Sequence, residues 1–226
     1  MILSVNITKA GYDKRIVLND IHFNINEGEL VSIIGGNGSG KSTLFKAIFG
    51  LIRIGDGSKI IFDGIDITNK KTYKLFNMGV MYLPQKNFVF ENMSVEENLR
   101  MTGTKFDIDS FFDDYDNLKP LRHNNTFHLS GGELKQLGLA MCFIRKPKLL
   151  LIDEPMTSLS ERNHHIILDG FRKLNNSGTT IIAINHFYGN KHMEFYDRHL
   201  KLELNSKTNI YELSEIKLYE YENKSA

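Results

Sequence analysis

"GGNGSGKST", residues 35–43, is the stretch of this sequence that decides its fold. It satisfies the pattern G-x-x-x-x-G-K-[ST], in which glycines let successive backbone N–H groups turn toward the oxygens of a phosphate. The stretch follows a short apolar run, "LVSIIG". It opens the segment "KSTLFKAIFG", where Leu44, Ala47 and Ile48 recur at helical spacing. A strand, a glycine-rich turn and a helix are therefore predicted in the order that a phosphate-binding loop requires.

This loop predicts a site for a nucleoside triphosphate. Lys41 would reach the β- and γ-phosphates, and the hydroxyl of Ser42 would coordinate Mg²⁺. The alternative is a glycine-rich turn that holds a lysine by chance, which the strand before it and the helix after it argue against. The residues of the loop expected to bind nucleotide are Gly35, Asn37, Gly38, Ser39, Gly40, Lys41, Ser42 and Thr43.

A pair of acids ends another apolar run, "LLLIDEP" at residues 149–155. Ligands of open α/β sheets bind at the carboxyl ends of the strands, which is where Asp153 and Glu154 would lie. Asp153 is suited to hold Mg²⁺, and Glu154 to orient and deprotonate an attacking water. Two acids that cap a strand in a turn are the alternative, which the phosphate loop makes less attractive.

Two further apolar runs end in polar residues. Gln85 follows "GVMYLP", and His186 follows "TTIIAIN". Either residue alone could be an ordinary loop residue. Together with the acid pair, they predict three strand ends that face one nucleotide.

The rest of the pattern predicts an α/β protein. Buried strands that alternate with helices imply a core with parallel strands. At the amino terminus, "LSVNI" and "IHFNIN" alternate apolar and polar residues, which indicates an antiparallel sheet with one exposed face. "DG" at residues 63–64 predicts a hairpin, and Ser94 with Glu97 predicts a capped helix start.

Composition excludes several classes of function. The 28 basic and 27 acidic residues balance to a net charge of +1, so there is no electrostatic case for binding nucleic acid. Cys142 is the single cysteine and cannot form an internal disulfide; its apolar neighbours predict a buried, inert thiol. No secretory signal and no apolar run of about 18 residues is present, so we expect a cytoplasmic chain that reaches a membrane only by docking.

"LSGGELKQL", residues 129–137, is a second glycine-rich helix start. No nucleophile's base and no set of metal ligands lies within a few residues of it, and the phosphate loop is far upstream. The order of the phosphate loop, Gln85, "LSGGE", "LLLIDEP" and His186 resembles that of the ATP-binding cassette (ABC) ATPases over essentially the whole chain.

This resemblance implies a fold and a set of residue roles. The fold is that of an α/β P-loop NTPase of the ABC-ATPase type, with a RecA-like parallel-sheet core, an N-terminal antiparallel β subdomain and an inserted helical subdomain. One domain, residues 1–226, would contain the helical subdomain near residues 87–145. Two cassettes would pair head to tail, so that the signature of one chain meets the γ-phosphate held by the other. The signature residues in this role are Ser130, Gly131, Gly132 and Glu133.

The resemblance assigns the remaining site residues too. Tyr12 would stack on adenine with Val17 beside it; otherwise Tyr12 is a surface tyrosine after a strand. Gln85 would contact Mg²⁺ and the attacking water and sense the transmembrane partner, and His186 would contact the γ-phosphate. Ser160 departs from the family, because many cassettes have aspartate there.

The implied function is ATP hydrolysis to ADP and phosphate that drives transport of a substrate across a membrane. ATP and Mg²⁺ would be the cofactors. The partners would be a second ABC ATPase subunit, identical or different, and transmembrane permease subunits on the inner face of the membrane, with no nucleic acid. Within the family, "GVMYLPQ", "VFENMSVEENL" and "LSGGE" look most like branched-chain amino acid importers and lipopolysaccharide exporters.

Two alternatives remain open on the sequence. A non-transport cassette could act on DNA or ribosomes, although the short distance from Lys41 to Ser130 leaves no room for the long coiled coil of DNA-repair members. An ATP-binding module with impaired hydrolysis is the other, against which Glu154 and His186 argue.

Overall fold

The computed structural model describes residues 1–13, 15–157, 159–160, 164–185, 190–205 and 210–216. The strands within these ranges are β1 (Leu3–Tyr12), β2 (Arg15–Ile25), β3 (Leu30–Ile34), β4 (Lys59–Phe62), β5 (Ile65–Asp66), β6 (Val80–Leu83), β7 (Leu149–Asp153), β8 (Thr180–Asn185), β9 (Arg198–Asn205) and β10 (Ile210–Ile216). The α-helices are α1 (Lys41–Ile48), α2 (Thr72–Asn77), α3 (Val95–Arg100), α4 (Ile108–Asp114), α5 (Gly131–Arg145) and α6 (His164–Asn176). Short 3₁₀ helices span Lys119–Leu121, Thr126–His128 and Asn190–Phe195.

The larger sheet has the strand order β10-β9-β3-β8-β7-β6. Neighbours from β9 to β6 run parallel, and β10 joins the edge of β9 antiparallel. Every residue of β3 and of β7 is buried, as expected for strands covered on both faces of a parallel sheet. The predicted parallel core is confirmed, and its strand order places the ends of β3, β8, β7 and β6 side by side.

The smaller sheet is antiparallel, in the order β2-β1-β4-β5. Burial alternates along β1, so one face packs inward and the other meets solvent, as the alternating sequence predicts. A two-residue turn joins β4 to β5, and Asp63 and Gly64 both have positive φ, at 49° and 74°. This is the backbone that a type I′ hairpin needs, so the predicted hairpin is confirmed.

The phosphate loop lies where the two sheets meet over α1. Leu44, Phe45, Ala47 and Ile48 of α1 belong to an apolar cluster that also contains residues of both sheets. After α1 the chain turns at Gly50, whose φ is 70°. Because α1 packs against apolar residues of both sheets, the phosphate loop that precedes it is held in a fixed position.

The stretch between β6 and β7 is mostly helical and has an apolar cluster of its own. α3 begins at a capping box, in which Ser94 and Glu97 satisfy each other's backbone N–H groups, as predicted. α5 contributes residues to this cluster, and its Leu139 and Cys142 pack against the larger sheet. Burial raises the pKa of the Cys142 thiol to about 12, which agrees with the predicted inert thiol. The buried members of the cluster are Val95, Leu99, Ile108, Phe112, Leu118, Leu129, Leu137, Ala140 and Ile144.

One helix is not predicted from the sequence pattern. α2 has six residues, and Leu75 is the buried one among them. A helix of six residues with a single buried apolar side chain shows no helical periodicity in its sequence. Among the residues that the structure describes, none of the helices combines the length and the apolar character that crossing a bilayer requires.

Candidate nucleotide site

Three strands of the larger sheet deliver the predicted site residues to one edge. β3 ends at Ile34 and continues into the phosphate loop, β6 is followed by Pro84 and Gln85, and β7 ends at Asp153. Since neighbouring parallel strands end at the same edge, residues far apart in sequence become neighbours here. β8 ends at this edge as well, but His186, the predicted γ-phosphate contact, lies outside the described residues.

An open pocket of about 530 Å³ lies over the phosphate loop. It brings together most of the residues predicted to bind nucleotide and two of the catalytic candidates, Gln85 and Glu154. Its lining residues are Tyr12, Arg15, Val17, Asn37, Gly38, Ser39, Gly40, Lys41, Ser42, Thr43, Gln85 and Glu154.

Two glycines of the loop are required by space. A Cβ at Gly35 would lie 2.3 Å from the carbonyl oxygen of Leu202. Gly40 has a φ of 95°, and a Cβ there would lie 2.7 Å from the side chain of Leu18. The loop is therefore packed closely against β9 and β2.

Lys41 is the buried cation of the loop, with 6% of its surface exposed. Its Nζ donates to the carbonyl oxygens of Gly35 and Gly36, at 2.8 and 2.9 Å. Burial lowers the pKa of Lys41, and the nearby charges of Glu154 and Asp153 act in the opposite direction. An anion in the pocket would offer this ammonium stronger acceptors than neutral carbonyl groups.

Asp153 has the features of a cation ligand. It is 4% exposed, and its Oδ2 accepts from the hydroxyl of Tyr82 at 3.3 Å. Its Oδ1 is buried and meets no hydrogen-bond donor among the described residues. Burial is the largest influence on the pKa of Asp153 and raises it, while the side chains of Ser42 and Tyr82 lower it. A buried carboxylate oxygen without a partner, next to a serine hydroxyl, is a hard-oxygen donor set that fits Mg²⁺.

Among the described residues, Gln85 and Thr157 both contact the carboxylate of Glu154. Its Oε2 accepts from Nε2 of Gln85 and from the hydroxyl of Thr157, the latter at 3.0 Å. The residue has a φ of 50°, which is unusual for glutamate, and its N–H donates to the carbonyl oxygen of Ile184 on β8 at 3.0 Å. The carboxylate is thus oriented at the pocket wall by Gln85 and Thr157, while the backbone of Glu154 is held to β8.

The pocket lining also includes an aromatic ring, Tyr12, and a cation, Arg15, and Lys46 lies beside that ring. Tyr12 is 42% exposed, and Nζ of Lys46 lies 5.7 Å from the centre of its ring. Arg15 lines the pocket with Val17. Neither Arg15 nor Lys46 is predicted from the sequence, although a cation one helical turn after Ser42 is a signal that could have suggested Lys46.

The signature segment lies apart from this pocket. None of the residues 129–133 lines it. Ser130 is the N-cap of α5: its Oγ donates to Oε2 of Glu133 at 2.7 Å and accepts from the N–H of Glu133 at 3.3 Å. Gly131 lines a second cavity of about 340 Å³, and Ser160 is exposed. Within one chain the structure therefore does not bring Ser130, Gly131, Gly132 and Glu133 to the nucleotide.

Comparison with known families decides the identity. Residues 18–157 match the family described as ABC transporter. The chain belongs to the ABC transporter family. Within it, the chain is an ATP-binding subunit and an ATPase, as the order of its motifs predicts.

Several relatives of this ABC protein share most of its length. A probable branched-chain amino acid transport ATP-binding protein, LivF of Archaeoglobus fulgidus, is 36% identical over 73% of this chain and 72% of its own. The lipopolysaccharide export ATP-binding protein LptB of Haemophilus influenzae is 30% identical, over 80% of this chain and 78% of its own. The phosphonates import ATP-binding protein PhnC of Fusobacterium nucleatum is 32% identical, over 80% of this chain and 79% of its own. The predicted likeness to branched-chain amino acid and lipopolysaccharide ATPases is confirmed.

Solved structures confirm the predicted fold of the ABC chain. A nucleotide-free ATP-binding cassette of an ABC transporter superimposes with a TM-score of 0.81 and 24% identity, over 99% of this chain and 94% of that one. A dimeric cassette bound to ADP and phosphate gives a TM-score of 0.76 and 20% identity, over 95% and 99%.

Proposed function

We propose that this ABC ATPase hydrolyses ATP at a site that a second ABC ATPase subunit completes, in a head-to-tail dimer. The observation that carries the proposal is the separation of two anion-binding helix starts within one chain. The phosphate loop has a cation and two acids around it, whereas the start of α5 has serine and glycines and lies outside the pocket. A second copy turned head to tail would bring each signature to the other chain's nucleotide.

The first half of the site would bind Mg²⁺ and ATP. Lys41 would exchange the carbonyls of its own loop for the β- and γ-phosphates, and Tyr12 with Val17 would contact adenine. Ser42, Asp153 and Gln85 are the oxygen donors proposed for Mg²⁺, which when bound would offset negative charge on the phosphates. The unpartnered Oδ1 of Asp153 supports this assignment.

Glu154 is the proposed general base. Gln85 and Thr157 hold its carboxylate at the pocket wall, so it would accept a proton from a water aimed at the γ-phosphate. His186 is proposed from the resemblance as a second contact to the γ-phosphate.

The second half of the site would be the start of α5. Helix N-termini present free N–H groups and a positive dipole end to an anion. Gly131 and Gly132 would allow those N–H groups to approach closely. The hydroxyl of Ser130, which now donates to Glu133, would turn to the phosphate.

Transport needs a membrane partner. We propose that the chain works on the inner face of a membrane, attached to permease subunits through the helical subdomain near residues 87–145. The relatives are named for amino acid, lipopolysaccharide and phosphonate transport, three unlike substrates. This spread supports the view that the substrate is selected by the membrane subunits.

Mixing two inactive variants tests the cross-dimer site. Ser130→Arg disables the signature and Lys41→Ala disables the phosphate loop, so each variant alone should be inactive. In an equal mixture, half of the dimers would carry one intact site, and ATP turnover should recover to roughly a quarter of the parent rate.

Size-exclusion chromatography provides a second readout. Glu154→Gln with ATP and Mg²⁺ should elute as a dimer, and the same protein with ADP as a monomer. A mixture that stays inactive, although both variants are folded, would contradict the proposed arrangement.

A further inference from the structure

Lys135 is a buried lysine that has no role in the proposed nucleotide site. It lies on α5, five residues after Ser130, and is 6% exposed. Its Nζ donates to the carbonyl oxygen of Gln85 at 3.2 Å and lies 5.4 Å from the centre of the Phe88 ring. Burial lowers the pKa of Lys135, and the charges of Asp153 and Glu154 oppose that change.

This environment is unusual enough to need a reason. A buried ammonium is costly unless polar groups or aromatic faces compensate it. The compensation here comes from the segment that follows β6, because both the carbonyl of Gln85 and the ring of Phe88 belong to it. The lysine therefore links α5 to that one segment.

The same segment reaches the proposed base. Nε2 of Gln85 donates to the carboxylate of Glu154, which also accepts from Thr157. A continuous set of contacts thus runs from Lys135 to the main chain of Gln85, and from the side chain of Gln85 to Glu154. A displacement of Lys135 would move the group that orients this carboxylate.

The other end of this path is the signature. Ser130 and Glu133 form the capping box that starts α5, and Lys135 follows Glu133 by two residues on the same helix. Because backbone hydrogen bonds keep a helix rigid over so short a distance, a shift of its first turn is passed directly to Lys135.

We propose that Lys135 is a positioning residue that sets the Gln85 segment, and through it Glu154, according to the position of the signature helix. Each chain's hydrolysis site would thereby respond to the ATP held by the second copy. This inference rests on the proposed head-to-tail dimer, and it adds regulation between the two sites of that dimer.

Hydrogen exchange of the full chain without nucleotide tests the first contact. Lys135→Met keeps the apolar stem and removes the ammonium; replacing a buried charge by an apolar group is commonly tolerated. Mass spectrometry should show exchange of amides in residues 85–89 several-fold faster in Lys135→Met than in the parent. Lys135→Arg should stay close to the parent, since a guanidinium can donate to a carbonyl and lie on an aromatic ring.

Lys148→Met is the matched control. Lys148 is an exposed lysine before β7, at the sheet edge opposite Asp153, and it pairs with Asp63. The substitution makes the same chemical change outside the path. It should alter neither the exchange of residues 85–89 nor turnover.

Steady-state kinetics tests the consequence for catalysis. Lys135→Met should lower kcat roughly five- to tenfold, with little change in the Kd of a fluorescent ATP analogue. In a Gln85→Ala background the same substitution should have almost no further effect, because the path is already broken there. Lys135→Arg should restore most of kcat.

Several outcomes would overturn the inference. If amide exchange of residues 85–89 is the same in Lys135→Met and in the parent, the inference is wrong, regardless of kcat. If exchange is faster but kcat is unchanged, the inference is also wrong. If Lys135→Met lowers kcat by the same factor in the Gln85→Ala background as in the parent, Lys135 does not act through Gln85. The exchange result does not depend on hydrolysis, so failure of the cross-dimer site in the mixing experiment is distinguishable from failure of this contact.

Discussion

The phosphate loop and the signature segment are two versions of one backbone device. In each, glycines lie at a helix start, before the first turn of α1 and within the first turn of α5, where backbone N–H groups lack partners inside the helix. The phosphate loop itself carries Lys41, and β7 with the turn after it adds Asp153 and Glu154. At the signature, the capping carboxylate of Glu133 accepts from the N–H of Ser130. The difference shows that a helix start is suited to bind an anion, whereas hydrolysis also requires the acidic side chains at the carboxyl ends of the parallel strands.

The sharpest way to test this contrast is to remove the base from the phosphate-loop side. Glu154→Gln keeps an acceptor for Gln85 but cannot take a proton at neutral pH. We expect kcat to fall by roughly 10³-fold while ATP binding persists, measured by phosphate release and by nucleotide titration.

Glu27→Gln is the control for this change, since Glu27 is exposed in the turn before β3, at the opposite edge of the sheet. It should leave kcat unaltered. Turnover at the parent rate in Glu154→Gln would remove Glu154 from the catalytic role.

Removal of the cation from the same loop should act on binding. Lys41→Ala deletes the ammonium that now bonds two loop carbonyls, and with it two charged contacts to phosphate. The Kd for ATP should rise roughly 100-fold in equilibrium titrations.

Lys59→Ala, at an exposed position of β4, should leave the Kd for ATP unchanged. If Lys41→Ala bound ATP as tightly as the parent, the loop assignment would be wrong.

A smaller effect separates the two capping boxes of the helical region. Ser130→Ala and Ser94→Ala each delete a serine N-cap with the same hydrogen bonds, so each should lower the free energy of unfolding by about 1 kcal/mol. Ser130→Ala should in addition lower turnover roughly tenfold, because its hydroxyl is proposed to contact the partner's ATP.

Denaturant melts and phosphate-release assays on both variants make this comparison. Equal activity of Ser130→Ala and Ser94→Ala would show that Ser130 has only a structural role.

The smallest change concerns the carboxylate beside the signature. Glu133→Gln retains the capping box, since glutamine serves at that position, but removes a negative charge near an anion site. The KM for ATP should fall roughly two- to threefold at low ionic strength, and the difference should shrink as salt screens the charge. A KM that is equal in both proteins at every salt concentration would show that Glu133 does not face the nucleotide.

Much of the fold and of the phosphate loop was predictable because the signals are local. The hairpin at Asp63 and Gly64 depends on two residues that tolerate positive φ, and the capping box of Ser94 and Glu97 on a spacing of three. Other features left no local trace. α2 has too few apolar residues to show a period, and the contact of Tyr82 with Asp153 joins two strands that are separated by the whole helical region.

What the sequence by itself determined is therefore the set of chemical parts: a glycine loop with Lys41, an acid pair that ends a buried strand, and a capped signature helix. Each is encoded by adjacent residues whose dihedral preferences and hydrogen bonds are short-range. The sequence predicts that Gln85 and the acid pair lie at one nucleotide, but only the tertiary structure decided which side chains contact each other. Strand order brings Gln85 to Glu154 and packing buries Lys135 against Gln85, because pairing of β6 with β7 and docking of α5 are long-range events that no local pattern specifies.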